Sequence, residues 1–131
     1  MRLLLDTHVL LWALTDSDRL ADTARALLLD PDNDKIVSAV SIWEIAIKQR
    51  QRRGLPGDMP VDADEAIDLI NDADFRWLPI THQHARAVAD LPEAHGDPFD
   101  RLLVAQAIIE PMRLLTADRK LAAYGDHVIL V

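Results

Sequence analysis

Apolar positions along the chain follow two rhythms that alternate. Arg2 to Leu5 is a short apolar run of the kind a buried strand shows, and after Asp6 the apolar residues Val9, Leu10, Trp12 and Ala13 recur at helical spacing. Ser17 or Asp18 can cap a second helix through Leu29, and the cluster Asp30-Pro31-Asp32-Asn33-Asp34 turns the chain into a strand over Lys35 to Val37. A third helix is expected from Ser41 to Arg53, stopped by Gly54. Leu55 to Asp62 reads as a loop, Asp64 to Ala73 as a helix, and Arg76 to Ile80 as a strand. Thr81 can cap the next helix. Asp97-Pro98 opens a strongly apolar helix through Ile109, Arg113 to Leu115 is a strand, Asp118 to Ala123 a short helix, and His127 to Val131 a last strand.

Strands alternating with helices imply an α/β fold whose mostly parallel sheet is flanked by helices on both faces. Crossover connections then bring the carboxyl ends of the strands to one edge, where ligands bind in open sheets of this type. The length of 131 residues and an ordinary balance of 50% hydrophobic and 27% charged residues predict one domain over residues 1–131, with no linker, repeat or low-complexity segment. The first residues resemble a signal peptide only superficially, because Asp6 and His8 interrupt the apolar run. The uncharged stretches fall short of the roughly 20 residues of a membrane span. The absence of cysteine excludes disulfides and thiolate metal sites and fits a cytoplasmic protein. A formal net charge of −8 argues against sequence-blind affinity for nucleic acid, so a nucleic-acid substrate needs a local basic surface.

Four acids fall where strands end or helices begin: Asp6, Glu44, Asp100 and Asp118. Each alone reads as a helix-terminal acid that accepts backbone N–H bonds and complements the helix dipole. Ser41-Ile-Trp-Glu44 has capping-box spacing, and Asp97-Pro98-Phe99-Asp100 combines an N-cap acid with proline at the first helical position. Together they have a different meaning, because carboxylates converging at one strand edge repel one another and call for a cation. A hard divalent ion such as Mg²⁺, with Mn²⁺ able to substitute, suits a donor set of oxygens without thiolates.

The segments LLLDTHVLLW, SAVSIWEIAIK, HGDPFDRLLVAQA and LLTADRKLAAYG, in that order over nearly the whole chain, resemble the PIN-domain ribonucleases, in particular the VapC-type toxins of bacterial toxin–antitoxin pairs. The resemblance implies a PIN-like fold and a metal-dependent endoribonuclease. Asp6, Glu44, Asp100 and Asp118 would be the catalytic, metal-binding acids, and Thr116 a hydroxyl that orients an acid or the substrate. Asp97 can join the site, although capping is the simpler role for an Asp-Pro pair. The resemblance further implies cleavage of selected structured RNA, such as tRNA or rRNA, to 5′-phosphate and 3′-hydroxyl ends. The metal would lower the pKa of an attacking water and stabilise charge on the phosphoryl oxygens. A cognate antitoxin is the implied partner, with a homodimer or a toxin–antitoxin hetero-oligomer as the assembly.

A basic rim for RNA is sought in Lys48, Arg50, Arg52 and Arg53, and in Arg101, Arg119 and Lys120, each next to a site acid. The alternative for the first cluster is a solvated helix end. His82 and His84 have a spacing that does not stack ligands on a helix face and read as surface residues. His8 and His95 lie near the acids, with roles left open. Trp12, Trp43 and Ile45-Ala46-Ile47 read most simply as core, though tryptophan also lines partner grooves. Haloacid-dehalogenase-like phosphatases need a second aspartate where this chain has His8, and response-regulator receivers need an acid pair beside Asp6 and a phosphoacceptor aspartate where Ile80-Thr81 stands. The remaining rival is a catalytically silent PIN-fold module that binds a protein or RNA.

Overall fold

The computed structural model describes residues 1–50, 59–92 and 96–131. Five strands, β1 (Arg2–Leu5), β2 (Asp34–Ser38), β3 (Arg76–Leu78), β4 (Arg113–Thr116) and β5 (Val128–Leu130), form one sheet in the order β3-β2-β1-β4-β5. Every neighbouring pair is parallel, with Leu4 of β1 in register with Ile36 on one side and Leu114 on the other. The helices are α1 (Thr7–Leu14), α2 (Asp22–Leu29), α3 (Ala39–Gln49), α4 (Ala63–Asp72), α5 (His82–Ala87) and α6 (Pro98–Ile109), with 3₁₀ turns at Val88–Asp90 and Arg119–Tyr124. The expected alternation of strands and helices is therefore present.

Burial on both faces explains why the strands read as continuous apolar runs rather than alternating ones. Leu3, Leu5, Val37 and Leu115 join a core with Val9, Leu10, Ala24, Ile45, Ala66 and Ile70 from α1 to α4. Leu4, Ile36, Leu78 and Leu114 point the other way, into a second core with Leu103, Val104 and Ala107 of α6. From β1 the chain steps outward through β2 to β3, then returns across the sheet to place β4 on the other flank of β1. The sheet thus reverses direction between β1 and β4, and such a switch point leaves a crevice beyond the strand ends.

Several helix starts differ from expectation. Neither Ser17 nor Asp18 caps α2, which begins at Asp22 after Ala21 without a side-chain cap. The intervening residues form a turn with Asp16 at a φ of 49° and Leu20 tucked into the core. α3 starts at Ala39 rather than Ser41 because Ser38, the last residue of β2, caps it through a bond from the Val40 N–H. It ends at Gln49 with Arg50 as its C-cap; Arg52, Arg53 and Gly54 lie outside the described residues. α4 begins one residue early, on a full capping box between Asp62 and Glu65. β3 stops at Leu78, short of Ile80. The element after β4 is a 3₁₀ turn, closed by Gly125 at a φ of 88° and ψ of −148°, a region open essentially to glycine. Among the described residues no helix is long and apolar enough to cross a membrane.

Candidate active site

Asp6 is the residue on which β1 becomes α1. Its backbone N–H still follows the sheet, donating to the Leu115 carbonyl of β4 at 3.0 Å, while its side chain caps α1 by accepting from the Val9 N–H at 2.8 Å. The second carboxylate oxygen accepts the hydroxyl of Thr116, at the end of β4. That hydroxyl in turn accepts the Asp118 N–H at 3.0 Å. Thr116 therefore ties the ends of β1 and β4 together at the switch point. Asp6 is only 4% exposed, and burial holds its carboxyl above the ordinary aspartate range. The hydrogen bonds from Thr116 and Val9 and the nearby charge of His8 oppose that shift, and Glu44 adds to it.

Glu44 lies in the second turn of α3, not the first, and is fully inside the protein. The expected capping box is absent because Ser41 stands inside α3, whose cap is Ser38; the Ser41 hydroxyl oxygen instead accepts a hydrogen bond of 3.0 Å from Thr7 of α1. This contact braces the two helices that carry Asp6 and Glu44. One Glu44 oxygen accepts from the Lys48 ammonium at 2.5 Å, and the other, Oε1, is buried with no hydrogen-bond partner among the described residues. Burial by itself would depress the Lys48 ammonium's pKa. The hydrogen bond to Glu44 and the charges of Glu44, Asp97 and Asp100 outweigh it and hold Lys48 above the ordinary lysine value. Lys48, sought in a basic rim, is paired with Glu44 and stands among the acids.

Asp97 is the N-cap of α6, with Pro98 in the first turn, accepting from Phe99 N–H at 2.8 Å and Asp100 N–H at 3.2 Å. Asp100 follows in the first turn, half-buried. Asp118 caps the 3₁₀ turn through the Lys120 N–H at 3.0 Å. The fold therefore brings Asp6, Glu44, Asp97 and Asp100 within electrostatic reach of one another or of Lys48, and Asp118 beside Thr116. Among the described residues no three His, Asp or Glu side chains stand in a ready-made metal cage. The donor chemistry nonetheless fits a hard divalent cation: only oxygens are offered, and one buried carboxylate oxygen has no partner.

Of the other expected rim cations, Arg101 is turned inward, donating to the carbonyls of Pro92 at 2.9 Å and Val88 at 3.2 Å and to the Tyr124 hydroxyl at 3.2 Å. It clamps the α5–α6 connection. Arg50, Arg119 and Lys120 are exposed; Arg52, Arg53 and His95 lie outside the described residues. Trp43 is 48% exposed, not core, and packs edge-on against Phe99 at 4.8 Å. With Ile42, Ile67, Trp77 and Ile80 it lines an apolar groove of about 520 Å³.

Sequence reasoning missed one buried polar network. His84, expected on the surface, is fully buried. Its Nδ1 accepts from the Thr81 N–H at 3.1 Å and lies 3.2 Å from Gln106 Nε2. With Nδ1 accepting, Nε2 carries the proton and donates to Glu110 at 2.6 Å. Gln106 also accepts the Ser38 hydroxyl at 2.5 Å, so the network ends on the cap of the helix that bears Glu44. The Thr81-x-x-His84 spacing at a helix start was its only signal, because histidine here takes the capping-box role usually held by glutamate.

The PIN domain family model matches residues 3–126. The chain belongs to the PIN domain family. This PIN domain is 30% identical to Ribonuclease VapC22 of Mycobacterium tuberculosis over 92% of its own length and 90% of the relative's. Solved structures with the same fold include VapBC2 from Rickettsia felis bound to a DNA fragment from its promoter, with a TM-score of 0.68, 15% identity, and coverage of 100% of this chain and 98% of that one. A toxin–antitoxin complex from Klebsiella pneumoniae matches at a TM-score of 0.63 and 17% identity, covering 96% and 94% of the two chains. VapBC-1 from nontypeable Haemophilus influenzae matches at 0.62 and 15%, covering 92% and 89%.

Proposed function

We propose that this PIN domain, spanning residues 1–131 as one unit, is a VapC-type endoribonuclease that depends on Mg²⁺ or Mn²⁺ and is restrained by a cognate antitoxin. The observation that carries the reading is the meeting of Asp6, Thr116 and Glu44 at the switch point, with a buried carboxylate oxygen left without a partner among the described residues. Its relative's name, Ribonuclease VapC22, supports the chemistry, and the toxin–antitoxin structures of the same fold support the partner.

Asp6, Glu44 and Asp100 would hold the cation, with Asp118 beside them and Asp97 kept as the cap of α6. A divalent ion there supplies Lewis acidity at the scissile phosphate of RNA. The chain's own residues do the positioning. The Val9 N–H and Thr116 hydroxyl leave Asp6 little rotational freedom, so its carboxylate is set before any ligand arrives. Thr7 and Ser41 lock α1 against α3 and hold the Asp6–Glu44 pair in place. The exposed Arg50, Arg119 and Lys120 would be the cations that meet the RNA backbone on a protein of net charge −8, a limited set that favours docking of a structured tRNA or rRNA over indiscriminate binding. The apolar groove between α3, α4 and the β3 edge is the surface for an antitoxin helix or segment in a hetero-oligomer, and the cytoplasm is the compartment in which such a toxin would act.

The test is cleavage of total cellular RNA by partner-free protein, with and without Mg²⁺ or Mn²⁺, and mapping of the ends. Cleavage should require the ion, leave 5′-phosphates, and fall by roughly 100-fold or more in Asp6→Asn, Glu44→Gln and Asp100→Asn. Metal-independent cleavage, 2′,3′-cyclic phosphate ends, or full activity in Asp6→Asn overturns the mechanism. Inactivity of the wild type over a broad RNA pool would favour the silent binding module.

A further inference from the structure

Lys48 lies one helical turn beyond Glu44 on α3, and its ammonium is 2.5 Å from Glu44 Oε2. The Glu44 side chain is 3% exposed and that of Lys48 is 35% exposed. The lysine therefore reaches in from the surface to a carboxylate that has left water. The negative fields of Asp97 and Asp100 also converge on the ammonium. A buried carboxylate without a countercharge is costly, and among the described residues this one is compensated on one of its two oxygens. The fold thus supplies its own monovalent cation at the place where the acids meet.

An ammonium and a divalent ion cannot both sit against Glu44 at contact distance without strong mutual repulsion, because that carboxylate is buried. Lysine is suited to yield, because its charge rides on a flexible four-carbon stem with a partly open path to solvent. We propose that Lys48 is a tethered counterion that neutralises the acids of the empty site, gives up Glu44 when a divalent cation enters, and so sets the cation concentration at which the site loads. Lys48 acts through Glu44 and is a positioning residue. The inference rests on the reading of the acids as a metal site.

Calorimetric titration of Mn²⁺ into partner-free wild type, Lys48→Met and Asp6→Asn, with melting curves in chelator and in saturating Mn²⁺, tests it. Lys48→Met keeps the apolar stem and removes the charge. It should melt below wild type in chelator, bind Mn²⁺ about tenfold more tightly, and gain more from saturating Mn²⁺ than wild type does. A lysine that only packs α3 would lower both melting temperatures and leave the affinity unchanged. Wild-type binding that is lost in Asp6→Asn but unchanged or weaker in Lys48→Met overturns the counterion and leaves the metal site standing. Absence of binding in wild type and Lys48→Met alike overturns both. If Lys48→Met does not fold, Lys48→Gln carries the same expectation, since it keeps a donor for Glu44 without the charge.

Discussion

Asp6 has the least solvent of the four acids placed at strand ends and helix starts except Glu44, and two hydrogen bonds only partly offset the loss. Its raised native pKa means that the folded protein holds this proton more tightly than the unfolded chain. The stabilisation linked to that proton is complete below the ordinary value of 3.8 and is lost as pH rises through the native pKa, so at neutral pH the ionised carboxylate costs stability. Asp6→Asn, which keeps an N-cap acceptor, should therefore raise the melting temperature of metal-free protein at pH 7 and flatten the gain in stability on mild acidification. A lower melting temperature would mean that the Thr116 bond outweighs desolvation. In excess Mn²⁺ the order should invert, the wild type gaining and the variant not. The capping places of Asp6, Asp97 and Asp118 were legible from sequence because a cap is a local bond to a residue two or three positions on. The surroundings of Glu44 were not, because Ser41, its expected partner, is engaged by Thr7, 34 positions away.

Helix ends show which local signals prevail. Asp97 with Pro98 held as the start of α6, and Thr81 as the start of α5. Ser17 and Ser41 lost to neighbours whose backbone was already placed by the sheet or the core, as Ser38 is by its pairing in β2. Asp97→Ala removes two capping bonds and should cost about 1 kcal/mol in urea unfolding while Mn²⁺ binding persists. Loss of binding as complete as in Asp100→Asn would place Asp97 among the ligands instead. The α5–α6 pairing depends on His84 in the same way. His84→Leu fills similar space but removes the acceptor of the Thr81 N–H, one of the contacts of the Gln106 amide and the donor to Glu110, and should destabilise by about 2 kcal/mol. A loss below about 0.5 kcal/mol would show that water or rotamer change satisfies the partners equally well.

For the molecule as a whole, the alternation of strands and helices was enough to predict a parallel sheet covered on both faces, because both cores draw on the same short apolar runs. Strand order was beyond reach of the sequence pattern, since nothing local distinguishes β4 beside β1 from β4 beside β3. Nor did periodicity distinguish Trp43 in a core from Trp43 on a rim; a helix needs only one buried stripe, and which tryptophan lies on it depends on what α3 packs against. The exposed Trp43 and Trp77 face one groove, and Trp43 touches Phe99 between Asp97 and Asp100. A partner seated in that groove would thus lie next to the acids. Trp43→Ser with Trp77→Ser should weaken retention of the proposed antitoxin by roughly 30-fold, read as dissociation during co-purification. Undiminished retention would mean that the groove is not the proposed antitoxin's seat.

The insertion of β4 beside β1 has a bearing on how the protein is made. Asp6 leaves the ribosome well before the threonine that fixes its carboxylate, which lies 110 positions later. Until residues 113–116 are available, one flank of β1 is bare and the crevice has only one wall. A nascent chain therefore carries its acids without the geometry that makes them useful. For a protein read as an RNA-cleaving toxin and synthesised on a machine built of RNA, the order of its strands is a delay: the cutting edge is assembled only once β4 has followed β1 out of the ribosome.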